Sequence, residues 1–336
     1  MPNRPRLTPA IADVRRAVRE QLESLRLPAG ELVLAACSGG ADSLALAAAL
    51  AFEAPRMGLK AGAVIVEHGL QAETKTVAIQ TKVVLEALEM APVDLVSVKV
   101  GTAGGPEAAA RTARYEALAK TAKTLGASYV LLAHTLNDQA ETVLLGLHRG
   151  SGARSLSGMA AVSGIYLRPL LGIARETTEA FCLDSGLKPW SDPHNQSLEF
   201  SRVRVRRELL PALEKTLGAG MPEALARTAE QLREDADFLD SLATEAFVEL
   251  AKVRANAIEL PAEPLAAAAR AVSTRVIKLA LEKFAPAVER VHVLAVLDLA
   301  LNYHGQKPLA LRGVRVERKG QTITMVSTKP LKPGAC

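Results

Sequence analysis

Short apolar runs alternate with amphipathic stretches through the first half of this 336-residue chain. Residues 10–27 place apolar positions at helical spacing and predict an amphipathic helix. Leu32–Ala36 is an apolar run of strand length, and a helix is expected from Asp42 to about Phe52. Further strands are expected at Ala63–Val66, Val93–Val98 and Tyr129–Ala133, with a short fifth at Ile165–Arg168. Helical patterns fill the gaps: Ala72–Met90, where Val77, Val84 and Leu88 recur on about one face, then Pro106–Leu125 and Asn137–Leu147. Strands alternating with helices at this spacing predict an α/β domain. Its sheet should be parallel, joined by right-handed crossovers and covered by helices on both faces.

The pattern changes after Gly150. Gly150–Gly164 is rich in glycine and serine and reads as a loop. Lys188–Leu198 is a turn-rich linker, and a domain boundary is expected just after it, near residue 207. Beyond it, Leu225, Ala229, Leu232, Ala236 and Leu239 follow the spacing of one buried helix face. Pro261–Leu265 interrupts, and helices are expected again over about 267–284 and 289–302. Val314–Val326 reads as a β-hairpin turning at Arg318-Lys319-Gly320-Gln321. The expected organisation is a catalytic α/β domain over 1–207, a mainly helical domain over 208–302 and a basic tail with a β-hairpin over 303–336.

Composition narrows the class. Hydrophobic residues make up 49% of the chain, much of it alanine, and aromatics only 3%, so helices should pack closely through small side chains. The most apolar stretch, Leu32–Leu50, is interrupted by Ser38, Gly39, Gly40, Asp42 and Ser43 and is a poor membrane span. The polar, proline-rich Met1–Pro9 is not followed by an apolar stretch of signal-peptide length. Cys37, Cys182 and Cys336 form neither a CxxC pair nor a metal-ligand cluster, which predicts a reduced, cytoplasmic setting without structural disulfides. The oligomeric state stays open, a homodimer included. Net charge is +5. Residues 302–336 hold seven Lys/Arg against one acidic residue, and residues 208–301 ten basic against fifteen acidic. A basic patch suits a phosphate backbone, and equally a solvated tail.

The strongest chemical signal is Ser38-Gly39-Gly40-Ala41-Asp42-Ser43, after the first strand and opening a helix. Two glycines let backbone approach a phosphate, exposed amides and serine hydroxyls donate to it, and the helix N-terminus adds partial positive charge. The string has no lysine and differs from GxxxxGK[ST]. Asp42 makes sense there when a divalent cation bridges it to the phosphates. A lone Gly-Gly turn would also fit a plain strand-to-helix turn.

Further motifs follow in order: Glu67-His68-Gly69-Leu70, Ala110-Arg111-Thr112-Ala113-Arg114-Tyr115, and His134-Thr135-Leu136-Asn137-Asp138-Gln139-Ala140-Glu141-Thr142. Then come Arg149-Gly150-Ser151-Gly152, Arg168-Pro169-Leu170, Trp190-Ser191-Asp192-Pro193-His194-Asn195 and Phe200-Ser201-Arg202-Val203-Arg204-Val205-Arg206. The phosphate loop resembles that of the N-type ATP pyrophosphatases, the PP-loop proteins. The set over about 30–215 resembles the tRNA(Ile)-lysidine synthetase family within them. That resemblance implies a Rossmann-like PP-loop ATPase domain, with ATP and Mg2+ as cofactors and a CAU-anticodon isoleucine tRNA and free L-lysine as partners. It implies adenylation of the wobble cytidine at C2, displacement of AMP by the lysine ε-amine, and release of AMP and pyrophosphate. Where the family shows His-His-x-Asp-Asp this chain has Thr135 and Asn137 in place of the second His and first Asp. His194 and Val203 depart from the family's Asp-x-Ser-Asn and Arg-Asn-Arg in the same way.

The resemblance assigns Ser38 to Ser43 to nucleotide binding, Asp42 also to the metal, and His134 to the ATP site; His68 and Gly69 could line the cytidine or nucleotide pocket, or simply end a strand in a turn. Asp138 and Glu141, three apart at a helix start, share a face. They could hold a lysine ammonium and take its proton, or simply favour the helix dipole. Arg111 and Arg114, three apart on one helix, could steady negative charge during adenylation, or make surface ion pairs. Arg202, Arg204 and Arg206 alternate, and on an extended segment they would share one side and suit phosphate or substrate contact. Cys37 reads as a small buried residue and Trp190 as a packing anchor. Two other readings use the same motifs. A PP-loop tRNA thiolase would carry sulfur on cysteines or a CxxC-held cluster, and a non-catalytic relative would bind ATP or tRNA without turnover.

Overall fold

A computed structural model of the chain describes residues 7–67, 72–98, 101, 105–150, 152–191, 197–285 and 288–328. His68, Ser151, the Asp192–Asn195 motif and the basic residues after 328 lie outside the described residues. The chain divides into two compact units, Met1–Gln231 and Leu232–Cys336.

The first unit opens with α1 (Pro9–Leu25). Thr8 caps it, accepting from the Ile11 amide at 3.4 Å, with Pro9 at the first position where no amide is needed. Its buried stripe is Ile11, Val14, Val18 and Leu22. Then follow β1 (Leu32–Ala36), α2 (Ala41–Glu53), β2 (Lys60–Glu67), α3 (Ala72–Ala87), β3 (Val93–Ser97), α4 (Pro106–Leu125), β4 (Ala127–Leu131) and α5 (Leu136–His148). Each expected strand and helix of this stretch is present within a few residues of its expected ends. With the two short strands β5 (Val162–Ser163) and β6 (Tyr166–Leu167), the sheet order is β3-β2-β1-β4-β6-β5, parallel from β3 through β6.

β1 is buried along its whole length, and alternation splits it between two cores. Val33 and Ala35 pack with α1, α2 and Phe181, while Leu32, Leu34 and Ala36 pack with Leu118 and Ala122 of α4. Burial on both faces explains why β1 is a plain apolar run instead of an alternating one. The chain leaves β1 towards β2 on one side and returns to β4 on the other. The carboxyl ends of β1 and β4 therefore flank the crevice where doubly wound sheets bind ligands.

The segment expected as a loop, Gly150–Gly164, holds α6 (Ala153–Leu156) and the start of a two-residue edge pair. This pair is β5 (Val162–Ser163) against β6 (Tyr166–Leu167), antiparallel. A helix that the apolar pattern did not announce follows: α7 (Arg175–Asp184) packs on α1 and α2 through Thr178, Phe181 and Cys182. After the linker come α8 (Ser201–Arg204), a π-helical turn (Val205–Leu209), α9 (Leu210–Leu217) and α10 (Met221–Leu250). Val205 and Leu210 pack with Ala140 of α5, so by compactness residues 208–231 belong with the α/β unit.

The second unit holds the rest of α10, β7 (Lys252–Val253), β8 (Ala257–Pro261), α11 (Ala262–Ala267), α12 (Arg270–Glu282), α13 (Arg290–Leu301), β9 (Leu309–Leu311), β10 (Val314–Lys319) and β11 (Thr322–Ser327). The expected hairpin is present as β10 and β11, closing at Lys319 and Thr322. It belongs to a five-stranded antiparallel sheet ordered β7-β8-β11-β10-β9. Residues 208–302 are therefore not all helical, because β8 pairs with β11 along its length. Val314, Val316, Ile323 and Met325 point into a core shared with α12 and α13.

Candidate active site

The phosphate loop is shaped by its glycines and one serine. Gly39 has φ of +86°, and a Cβ there would come within 2.5 Å of Thr81 Oγ1, so only glycine fits without strain. Ser43 ties the turn from inside. Its hydroxyl accepts from the Ser38 amide at 3.1 Å and donates to the Gly40 carbonyl at 2.9 Å. That bonding directs the Ser43 hydroxyl inward, while the first-turn amides from Ala41 to Ser43 have no partner within α2. Those amides and the helix dipole make the turn an anion seat. Cys37 and Cys182 are both buried beside it, and burial pushes both thiols up, Cys182 to about 12. Neither is a ready thiolate.

Asp42 points from this turn towards α7 and α5. Its carboxylate accepts from the Thr178 hydroxyl and lies 3.4 Å from Arg175 Nε. The same guanidinium reaches Asp138 Oδ1 at 3.0 Å and Glu141 Oε1 at 3.7 Å. Glu141 is fully buried. It takes a two-pronged contact from Arg206, Nε to Oε1 at 2.6 Å and Nη2 to Oε2 at 3.1 Å. Arg202 Nε lies 3.3 Å from Glu141 Oε2 without the alignment of a hydrogen bond, and its Nη2 donates to Thr142 Oγ1 at 3.1 Å. Three carboxylates and three guanidiniums thus form one buried network.

Burial raises Glu141 above the usual carboxylate range despite the Arg206 contact, and does the same to Asp42 despite Thr178 and Arg175. For Asp138 burial also pushes upward, but Arg175, the Thr135 amide and the neighbouring cations outweigh it and hold Asp138 low. Two nearby acids with opposite shifts can play different parts, one a fixed anion and the other a proton acceptor.

The two unusual residues of the α5 start have structural work. Thr135 is the N-cap of α5: its amide and hydroxyl both donate to Asp138 Oδ2, at 2.8 and 3.1 Å. Asn137 Oδ1 accepts from the Arg175 amide at 2.9 Å and so satisfies an orphan donor at the start of α7. Both substitutions keep the acid pair and Arg175 in place.

His134 sits behind Asp138 at the end of β4. Burial, ahead of the Asp138 charge that opposes it, pushes it down to about 3, and Arg168, Arg114 and Arg111 push the same way. The ring is therefore neutral, and its buried Nδ1 has no hydrogen-bond partner among the described residues. Arg111 is exposed and stacks over Tyr115 at 4.9 Å, while Arg114 is partly buried near Cys37 and depressed by desolvation there. Arg168 donates to Ala160 O and Tyr115 Oη. Of the two arginines on this helix, one is exposed and the other partly buried.

The structure brings together Asp42, Asp138, Glu141 and Arg202, and places His134 beside them. Arg202, Arg204 and Arg206 are helical instead of extended, because Phe200 onward continues into α8 and the π turn. Arg202 and Arg206, four apart, reach Glu141 together. Arg204 points away and donates to the Leu198 and Glu199 carbonyls at 2.7 and 2.9 Å. Arg175 is the participant that sequence reasoning missed. Its only signal was a basic residue at the start of an unannounced helix.

Among the described residues no group of three or more His, Cys, Asp or Glu is arranged to hold a metal ion unaided. Asp42 at the edge of an anion seat does fit Mg2+, which is commonly held by one or two carboxylates plus substrate phosphates. No described helix is long and apolar enough to cross a membrane.

Residues 12–213 match the PP-loop domain family. The chain is 53% identical over 300 residues to the tRNA(Ile)-lysidine synthase of Leifsonia xyli subsp. xyli, covering 89% of this chain and 90% of that one. It is 51% identical over 320 residues to the tRNA(Ile)-lysidine synthase of Thermobifida fusca, covering 94% and 97%. Among solved structures it is similar to the U34-tRNA thiolase NcsA of Methanococcus maripaludis with its [4Fe-4S] cluster. The TM-score is 0.57 at 21% identity, over 67% of this chain and 80% of that one, a likeness of fold alone.

Proposed function

The chain belongs to the tRNA(Ile)-lysidine synthase family of PP-loop proteins, and from that premise we propose how its site works. It is an ATP-using ligase that forms a C–N bond between lysine and a tRNA. In the reading proposed here the acceptor is the wobble cytidine of a CAU-anticodon isoleucine tRNA, in the cytoplasm.

The first-turn amides of α2 hold the β- and γ-phosphates, and Asp42 would hold a Mg2+ ion bound with them, which would supply charge neutralisation of the leaving pyrophosphate. The cytidine O2 attacks the α-phosphorus, the bond to pyrophosphate breaks, and an O2-adenylyl cytidine forms. Arg114, partly buried near Cys37, faces the charge that develops on the phosphoryl oxygens. Neutral His134 serves as a hydrogen-bond partner, not as a cation. The lysine ε-nitrogen then attacks C2, the C2–O bond breaks and AMP leaves. Asp138, held ionised, orients the incoming ammonium. Glu141, raised by burial, takes its proton.

The observation that carries this reading is the single guanidinium of Arg175 touching Asp42, Asp138 and Glu141. It puts the nucleotide acid and the amine acids within one side chain's reach. The test is mass spectrometry of nucleosides from the isoleucine tRNA transcript after incubation with ATP and lysine. The expected product is a cytidine carrying a lysyl group, formed only with both substrates. Pyrophosphate release without lysine incorporation would refute the ligase assignment.

A further inference from the structure

One segment, from Arg175 to Trp190, holds the phosphate loop at three of its residues. Arg175 and Thr178 of α7 bind the Asp42 carboxylate, Cys182 Sγ lies 3.4 Å from the Ala41 carbonyl, and the Trp190 amide donates to the Gly39 carbonyl at 2.9 Å. The first residue of the same segment is also fixed to α5, by its amide to Asn137 and by its guanidinium to Asp138 and Glu141. Its side chain is 17% exposed, and a cation so placed stands where an arriving ammonium must compete for the same carboxylates.

We propose that Arg175 is a positioning residue that couples the two substrate sites, tying the phosphate-loop aspartate to the acids that receive lysine. The inference rests on the amine role given to Asp138 and Glu141 above. When an ammonium takes those carboxylates, Arg175 gives up two of its three anionic partners and keeps Asp42. Its charge is then free to favour the phosphates beside that aspartate. Lysine should therefore tighten nucleotide binding, and by linkage nucleotide should tighten lysine binding by the same factor.

The test is calorimetric binding of magnesium and a non-hydrolysable ATP analogue to the full chain with the tRNA transcript, with and without saturating lysine. In the wild type, lysine should strengthen analogue binding by about fivefold or more, the lower end of ordinary coupling. Arg175→Ala should bind the analogue with an affinity that no longer responds to lysine, and Arg175→Lys should retain part of the response. Circular dichroism identifies a variant that has not folded, in which case Arg175→Lys and Thr178→Val carry the test, Thr178→Val being expected to keep the response. An unchanged lysine effect in Arg175→Ala, or none in the wild type, overturns the coupling role. An analogue that does not bind the wild type at all indicts the nucleotide site itself, a different failure.

Discussion

At the scale of single residues, burial sets the direction for His134, Asp42 and Glu141, while for Asp138 and Arg175 the neighbouring charges outweigh it. His134 makes this measurable. Its folded value of about 3 lies below the usual 6.5. Between those two values the unfolded chain binds a proton that the folded chain does not. Stability from this group is thus lost as pH falls through 6.5, by up to about 1.4 kcal/mol per pH unit. Denaturant unfolding of wild type and His134→Gln at pH 6.5 and pH 5 should show the wild type losing about 1–2 kcal/mol more than the variant. Equal losses would mean that His134 is protonated in the fold. Asp42→Asn tests a different residue-level claim. It keeps the shape that Thr178 holds but loses the charge meant for the metal. AMP formation should fall by a factor on the order of 100 or more, while circular dichroism and tRNA binding stay unchanged.

The sequence carried the acids and the phosphate loop because their chemistry is local: adjacent residues on one turn, or two carboxylates three apart. Arg175 and Thr178 were not legible because they act across more than 130 positions on Asp42, and no periodicity encodes such a contact. The roles of Thr135 and Asn137 were hidden for the same reason. Their value lies in a bond to Asp138 and a bond to the amide of Arg175, and neither can be read as a change in charge.

Among the elements, the phosphate loop has a geometry with little room to relax. Gly39→Ala places a side chain on a residue with positive φ and drives it against Thr81 Oγ1 at 2.5 Å. The backbone part of that strain is about 1–2 kcal/mol, and the clash adds to it. Gly39→Ala should weaken ATP-analogue binding at least tenfold. Gly39→Ala combined with Thr81→Ala should recover part of the loss, since only the clash is removed. Full recovery would show that φ at Gly39 is unimportant. The strands and helices of this half were readable because β1 and β2 are buried apolar runs, β3 and β4 are shorter half-buried ones, and helices of regular spacing separate them. α7 escaped notice because its buried residues, Thr178, Phe181 and Cys182, include a polar one and make a poor apolar stripe. The three arginines of 202–206 looked extended because alternation in sequence is the strand signature. The helix instead brings Arg202 and Arg206 together at four residues' separation.

For the whole molecule, the described part of the basic region, from Leu309 to Ser327, is built into a folded unit. β9 to β11 complete a sheet with β8, and Val314, Val316, Ile323 and Met325 are buried in its core. Removing everything after Leu301 would delete those side chains and unfold the second unit, so a failure to bind tRNA in such a truncation would say nothing about charge. The outward positions are separable from the inward ones because strand residues alternate. Arg315 and Lys319 project opposite to Val314 and Val316, and Arg312 is exposed just before the hairpin. Changing Arg312, Arg315 and Lys319 together to glutamate leaves the core untouched. If this face meets the phosphate backbone, the plot of log affinity for tRNA against log salt should become shallower by about 0.7–0.9 for each phosphate the variant no longer neutralises. The KM for ATP should not move, because the phosphate loop lies in the other unit. An unchanged salt slope would mean that the tRNA docks elsewhere and that the excess of positive charge here serves only solvation.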